Sequence, residues 1–286
     1  MRVLLLGTAA GGGFPQWNCA CQLCRSDATP RTQDCVAVSA DGVHWYLLNA
    51  SPDIRAQILA APALRAGPGP RDIPLRGVLL TDAELDHSLG LLMLREAGGL
   101  PVWAPDAVRH ALSEHFPARR IIDGYGRWDW LPPPSELGGL RVRVLPVSDK
   151  RPKYARTSTE DGPWVVAYRI EDPATGGVLV YAPCLKSWPD GFDEFTAGAS
   201  LVLLDGTFYA PDEMSGATGA GEGAQLAMGH LPITASLAKL AGRRGTRWAY
   251  THLNNTNPVL DPASPEHASV LAGGAELPGD GTEFKL

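Results

Sequence analysis

The chain has 286 residues, a formal net charge of −6, 44% hydrophobic residues and 20% charged residues. That is the make-up of an ordinary globular protein with room for one large domain or two modest ones, and it argues against a general nucleic-acid binder. No apolar stretch approaches the roughly 20 residues that a bilayer span needs, and no Lys/Arg run points to a membrane surface.

Met1-Arg2-Val3-Leu4-Leu5-Leu6-Gly7 has too short an apolar core for a secretory signal and reads as a buried first strand over 2–7. With five cysteines forming a poor disulfide framework for this length, the expected location is cytoplasmic. The loop Gly7-Thr8-Ala9-Ala10-Gly11-Gly12-Gly13 follows. It is no dinucleotide fingerprint, because Ala9 and Ala10 replace needed glycines and Phe14-Pro15 breaks the helix that should come next. Its glycines suit a close approach of backbone to a ligand or to another loop. Cys19, Cys21 and Cys24 then form C-x-C-x-x-C. Three thiolates at this spacing can wrap one tetrahedral Zn2+, and a sulfur-rich closed site is structural. The zinc loop covers about 11–25, with Asn255 and His267 as candidates for the fourth ligand. Cys35 and Cys184 stand alone and read as buried packing.

Residues 35–40 and 44–50 suggest a hairpin turning at Asp41-Gly42. A helix is expected from Pro52 or Asp53 to about Leu64, capped by Ser51. A strand over 76–81 leads into Thr81-Asp82-Ala83-Glu84-Leu85-Asp86-His87, which crowds three carboxylates and an imidazole at a strand end. Burying charge without a partner is expensive, so such a cluster calls for a cation. A capped helix with acids at its positive end is the plainer alternative; four such groups together favour a metal. A helix opens near His87, followed by a strand at Val102-Trp103 and a helix from about Pro105 to His115. Strands are expected near 140–146, 164–170, 177–182 and 200–204, then a helix near 232–242 and strands at 246–251 and 282–286. The Pro- or Gly-rich segments 65–73, 131–139 and 211–223 read as surface loops, so the whole of 1–286 is expected to be one domain. Asp205 closes the run Leu201–Leu204, His252 follows another strand, and His230 opens a helix. Each alone is ordinary; three in one chain are not.

In this order the motifs resemble the metallo-β-lactamase superfamily, whose hallmark H-x-H-x-D-H reads here as Asp82-x-Glu84-x-Asp86-His87, with a distant Asp205 and a late His252. Gly11-Gly12-Gly13-Phe14-Pro15-Gln16-Trp17-Asn18-Cys19, Asn49-Ala50-Ser51-Pro52-Asp53-Ile54-Arg55 and His252-Leu253-Asn254-Asn255-Thr256-Asn257-Pro258 are similar to the branch that serves pyrroloquinoline quinone biosynthesis. The resemblance implies an α/β fold, a four-layer αββα sandwich of two mixed β-sheets with a metal pocket at one edge. It implies a pocket metal, Fe2+ or Zn2+, on Asp86, His87, Asp205 and His252. The superfamily's other site is degenerate: Asp82 and Glu84 replace its first histidines, and Pro146-Val147-Ser148-Asp149 brings no third. His230 matches a catalytic imidazole of superfamily phosphodiesterases, and Asp53 a residue that supports the metal loops. The implied activity is an iron-dependent oxygenase that hydroxylates the tyrosine ring of a Glu–Tyr-derived precursor. A carrier of the quinone or its precursor toward the periplasm is the alternative, and a hydrolase comes third. A small-molecule precursor is the expected partner, a homodimer is allowed, and neither nucleic acid nor membrane insertion is expected.

Overall fold

The computed structural model describes residues 1–218 and 224–286. The strands are β1 (Arg2–Gly7), β2 (Cys35–Ser39), β3 (Trp45–Leu48), β4 (Leu75–Leu79), β5 (Pro101–Trp103), β6 (Asp129–Leu131), β7 (Glu136–Leu137), β8 (Leu140–Ser148), β9 (Val165–Glu171), β10 (Val178–Ala182), β11 (Leu201–Asp205), β12 (Arg247–Thr251), β13 (Ala275–Glu276) and β14 (Glu283–Lys285). They form two seven-stranded sheets, ordered β14-β1-β2-β3-β4-β5-β6 and β13-β12-β11-β10-β9-β8-β7. Each sheet is mixed: β3 to β6 run parallel in the first and β10 to β13 in the second, while β14-β1-β2-β3 and β7-β8-β9-β10 pair antiparallel. The helices are α1 (Ile54–Ala60), α2 (Leu85–Ser88), α3 (Gly90–Met93), α4 (Asp106–His110), α5 (Ala118–Ile122), α6 (Phe192–Thr196), α7 (Glu213–Thr218), α8 (Ala224–Met228), α9 (Ile233–Leu240) and α10 (Pro265–Ala272). No helix among the described residues is long and apolar enough to cross a membrane.

The side-chain period of a strand explains the layering. In β1, Val3 and Leu5 face the other sheet while Leu4 and Leu6 face helices; in β11, Leu201 and Leu203 face inward while Val202 and Leu204 face outward. The inter-sheet layer joins Val3, Leu5, Val36 and Leu79 to Tyr168, Leu179, Tyr181 and Leu203. One outer layer packs Ile54, Leu91, Val108 and Leu112 on the first sheet, and the other packs Phe192, Phe195, Ile233 and Val270 on the second. Strands covered on both faces must be apolar at nearly every position, which is why β1 after Arg2, and β11 up to Asp205, read as unbroken apolar runs. The αββα sandwich is therefore as expected.

Several boundaries differ from the sequence reading. The helix after Ser51 ends at Ala60, because Ala61 is extended and Pro62 starts a separate short turn. Ser51 is no cap: its hydroxyl accepts from Asp53 N at 3.2 Å and donates to Gln57 Oε1 at 2.9 Å. The helix at His87 begins at Leu85, before the histidine, and restarts at Gly90. β6 reaches into the 131–139 segment and β7 lies within it, although Pro132, Pro133 and Pro134 made it look irregular. Within 211–223, Glu213–Thr218 is helical and 219–223 lies outside the described residues.

The break between α2 and α3 sets the position of His87. Ala50 N donates to His87 O at 2.7 Å, and Gly90 N donates to Ala50 O at 2.9 Å. A Cβ on Gly90 would meet Ala50 O at 2.6 Å, backbone that cannot swing away. Gly90→Ala is therefore expected to lower stability by about 1–3 kcal/mol in chemical denaturation; a variant as stable as its parent would show that this contact relaxes freely.

Candidate metal centres

In open parallel sheets, ligands collect outside the carboxyl ends of the strands. Here the ends of β4, β10, β11 and β12 converge on one rim and deliver Asp82 to His87, Cys184, Asp205 and His252. The sheets are laced together just behind it. Tyr168 Oη donates to Leu80 O at 2.9 Å, Val166 N donates to Thr81 O at 2.9 Å, and Asn49 Nδ2 donates to Tyr181 Oη at 3.1 Å.

His87 is fully buried. Its Nδ1–H donates to Asp82 Oδ2 at 2.8 Å, and Asp82 also accepts from Thr81 Oγ1 at 2.7 Å and Glu84 N at 2.9 Å. An ionised carboxylate only accepts, so it fixes the proton on Nδ1 and leaves Nε2 as the free nitrogen. That Nε2 is buried and has no hydrogen-bond partner. Burial opposes a charged ring, yet the carboxylates of Asp82 and Asp86 outweigh it and push the His87 imidazole up to about 10. Burial likewise works against the Asp86 carboxylate, but His87 and His252 hold it well below the usual range. The pocket asks for positive charge.

His252 and His230 are oriented in the same way. The Thr207 hydroxyl spends its one proton on Asp205 Oδ1 at 2.7 Å, so its oxygen accepts from His252 Nδ1–H at 2.8 Å. His230 Nδ1–H donates to Asp205 Oδ2 at 2.8 Å. The two rings stack with centroids 5.3 Å apart, and the edge of His87 meets His252 at 5.0 Å. His252 Nε2 lies 3.3 Å from Asp86 Oδ2. His252 also holds φ at 58°, a left-handed backbone rare for a residue with a side chain and costing about 1–3 kcal/mol. Ligand atoms within 4.8 Å of one another form two sets, His87 with Cys184 and His252, and Asp205 with His230 and His252.

The expected residues thus meet, with differences of role. Asp205 is saturated by Leu185 N at 2.7 Å, His230 and Thr207, and braces both late imidazoles. Asp82 is engaged in holding His87. Glu84 Oε1 pairs with Lys150 Nζ at 3.1 Å. Asp53 stands back from the ligands: its Oδ2 accepts from Gln33 N at 2.9 Å, and Gln33 Oε1 accepts from Gly12 N at 3.0 Å. The glycine loop makes the close approach its sequence suggested, since a Cβ on Gly11 would stand 3.0 Å from Asp86 Oδ2. From the sequence Cys184 reads as packing, whereas in the structure its thiol comes within 4.8 Å of ligand atoms of His87 and His252. Its signal resembles the one that marked Asp205 and His252, an apolar strand, Val178–Ala182, with a ligand-type side chain one residue beyond its end.

The second centre is separate. The thiols of Cys19, Cys21 and Cys24 lie within 4.8 Å of one another on a loop with only a single short turn of helix. The Cys21 backbone N–H draws the Cys19 thiol below its ordinary range, while burial raises that of Cys21. Of the two candidates for a fourth ligand, Asn255 reaches the group, with Nδ2 at 3.4 Å from Cys24 Sγ; His267 bonds Val259 O at 2.8 Å instead.

Two outcomes are expected. Cys21→Ser should lose one equivalent of zinc by total metal analysis and melt at lower temperature, leaving the pocket unchanged; unaltered zinc would refute three-thiolate binding. Asp82→Asn removes the charge that orients His87 and should weaken metal binding in the pocket about 10–100-fold in chelator competition, with the thiolate site unaffected. Equal affinity would show that His87 needs no such brace.

Residues 44–253 match the model of the beta-lactamase superfamily domain. Across its whole length, and across theirs, the chain is 40% identical to coenzyme PQQ synthesis protein B of Azotobacter vinelandii and 38% identical to that of Pseudomonas paraeruginosa. The crystal structure of Zn2+-bound PqqB from Methylobacterium extorquens superposes with a TM-score of 0.90 at 37% identity, covering all of both chains. A diphosphatase of the PhnP family shares the fold alone, at a TM-score of 0.73 and 19% identity over all of this chain and 97% of that one. The chain belongs to the coenzyme PQQ synthesis protein B family of the beta-lactamase superfamily.

Proposed function

We propose that this protein acts in pyrroloquinoline quinone synthesis as a metal-dependent oxygenase that hydroxylates the tyrosine ring of a Glu–Tyr-derived precursor in the cytoplasm. The relatives' names support the pathway. The observation that carries the chemistry is His87 Nε2, buried, partnerless and locked outward by Asp82. With His252 Nε2 and Asp86 it offers two imidazoles and a carboxylate, the donor set of non-haem iron(II) oxygenases, which zinc also accepts. Iron, when bound, supplies the one-electron chemistry that dioxygen needs.

The rest is the work of the chain itself. His87, His252 and Asp86 hold the metal, and Asp205 steadies His230 directly and His252 through Thr207. His230, whose side chain is 9% exposed, stacks on His252 and lines the pocket, so its Nε2 is the group to take up or return the ring proton. Phe208, with its ring 6.1 Å from His230, keeps water from that side. A two-metal hydrolytic clamp needs a second ion at the Asp82 and Glu84 positions, and those residues are engaged elsewhere.

Each hydroxylation puts one atom of dioxygen into a ring C–H bond; the other leaves as water, with two electrons from a reductant and two protons. Anaerobic loading with iron(II), followed by oxygen, ascorbate and a Glu–Tyr dipeptide, should give a product heavier by one or two oxygens. A carrier would leave the dipeptide unchanged and bind the quinone with or without iron, which would overturn the oxygenase reading. His252→Ala should fold, because its rim position leaves the packed core intact, and should keep its thiolate-bound zinc while losing the pocket metal and all turnover. Full pocket metal with intact activity in that variant would transfer the ligand role to His230.

A further inference from the structure

The superfamily's first metal would sit against the positions occupied here by Asp82 and Glu84, facing an imidazole from the middle of the chain. The residues present do not fit it. Asp82 is filled by His87, Thr81 and the Glu84 backbone. Past the stretch 146–149, where the imidazole is missing, the chain brings Lys150 into the pocket instead, with Nζ 3.1 Å from Glu84 Oε1. Lys150 lines the same small cavity as Asp82, Glu84, Ser148, Cys184 and His230. Its path there is built in. Lys150 N donates to Ser148 Oγ at 3.0 Å, and the stem passes Gly229, where a Cβ would come within 2.8 Å of Lys150 Cδ. Gly229 also has φ at 76°, so a side chain there is disfavoured twice.

We infer that Lys150 is a tethered cation in the place of the superfamily's first metal, so that the pocket accepts one metal ion and not two. This rests on the metal reading of the pocket given above. Asp82, Glu84, Asp86 and Asp205 gather around one rim, and buried carboxylates need compensating charge. The ammonium answers Glu84; with side chains 26% and 29% exposed, the pair is more sheltered than a surface ion pair. A lysine head is a point charge with three donors and no acceptor, so it can neither ligate an ion nor release Glu84 to one without leaving its own charge unpaired. Although burial opposes its charge, Glu84 and the neighbouring anionic groups keep Lys150 protonated above its ordinary range. The pocket then has a fixed hydrogen-bond donor where hydrolytic relatives of the fold need a Lewis acid.

Cobalt(II) loading of the full chain, read by total metal analysis and by electron paramagnetic resonance, tests this. The parent protein should hold one pocket cobalt, magnetically isolated. Lys150→His removes the ammonium and restores an imidazole; it should bind one more equivalent and show a coupled cobalt pair. Lys150→Arg keeps the charge and should stay at the parental count. A coupled pair in the parent, a Lys150→His protein that is folded by circular dichroism yet binds no more metal, or an extra ion in Lys150→Arg would each overturn the inference. If Lys150→His does not fold, the parental spectrum still decides. A parent with no pocket cobalt at all would overturn the underlying metal reading instead.

Discussion

The hydrogen-bonded pair of Asp82 and His87 is the constraint around which the rim is built. Both side chains are buried, and removing one partner from such a pair costs about 3–5 kcal/mol because the other charge is left stranded. The pair is held by a polar seam that crosses both sheets. Thr81 bonds Asp82 and the Asn49 carboxamide; Asn49, left-handed at φ 64°, reaches Tyr181; Tyr181 and Thr251 both donate to the wholly buried Asp34. Burial raises the Asp34 carboxyl, and the seam joins β3, β4, β10 and β12 directly behind the rim. The strand ends are thereby fixed relative to one another before any ion arrives, which is the preorganisation a metal site requires.

The three imidazoles of the rim share one design. Each is anchored through Nδ1, to Asp82, to Asp205 or to Thr207, and each of the two carboxylates is itself satisfied by backbone or hydroxyl donors. Nε2 is left to the pocket in every case. Facing this nitrogen-rich side stand Glu84 and Lys150, an internal ion pair. The two halves therefore differ in charge as well as in donor type, with imidazole nitrogens on one side and an ion pair on the other.

The cysteine loop lies outside the pocket yet shares its framework. Leu253, directly after His252, donates from its N–H to Thr8 O at 2.9 Å and accepts from Ala10 N at 2.8 Å, and Asn255 of the same turn reaches Cys24. The turn that carries His252 is thus stitched to the segment that carries the three thiols. A loop with so little regular structure carries few backbone bonds of its own, and an ion held by the thiols would restrict it where packing cannot.

Most of the framework was legible in the sequence, because the signals are local. Apolar runs that alternate between two covered faces announced β1, β4, β9, β10 and β11, and ligand-type residues after such runs pointed to the rim where His87, Asp205 and His252 come together. Three cysteines within six positions pointed to a thiol cluster, and their sulfurs lie within 4.8 Å of one another. Short elements such as β7 and β13, two residues each, leave no periodicity to read and exist only because a neighbouring strand pairs with them. What the tertiary structure alone decided is who faces whom across the rim. Cys184 joins His87 and His252 because β10 and β4 end side by side from opposite sheets, and Lys150 meets Glu84 over a separation of 66 positions between 84 and 150. Asp82 turned out to orient a histidine because its oxygens were claimed by Nδ1, a hydroxyl and a backbone N–H. Residue types fix what a group can bond; only the packing of two sheets fixes which partner arrives first.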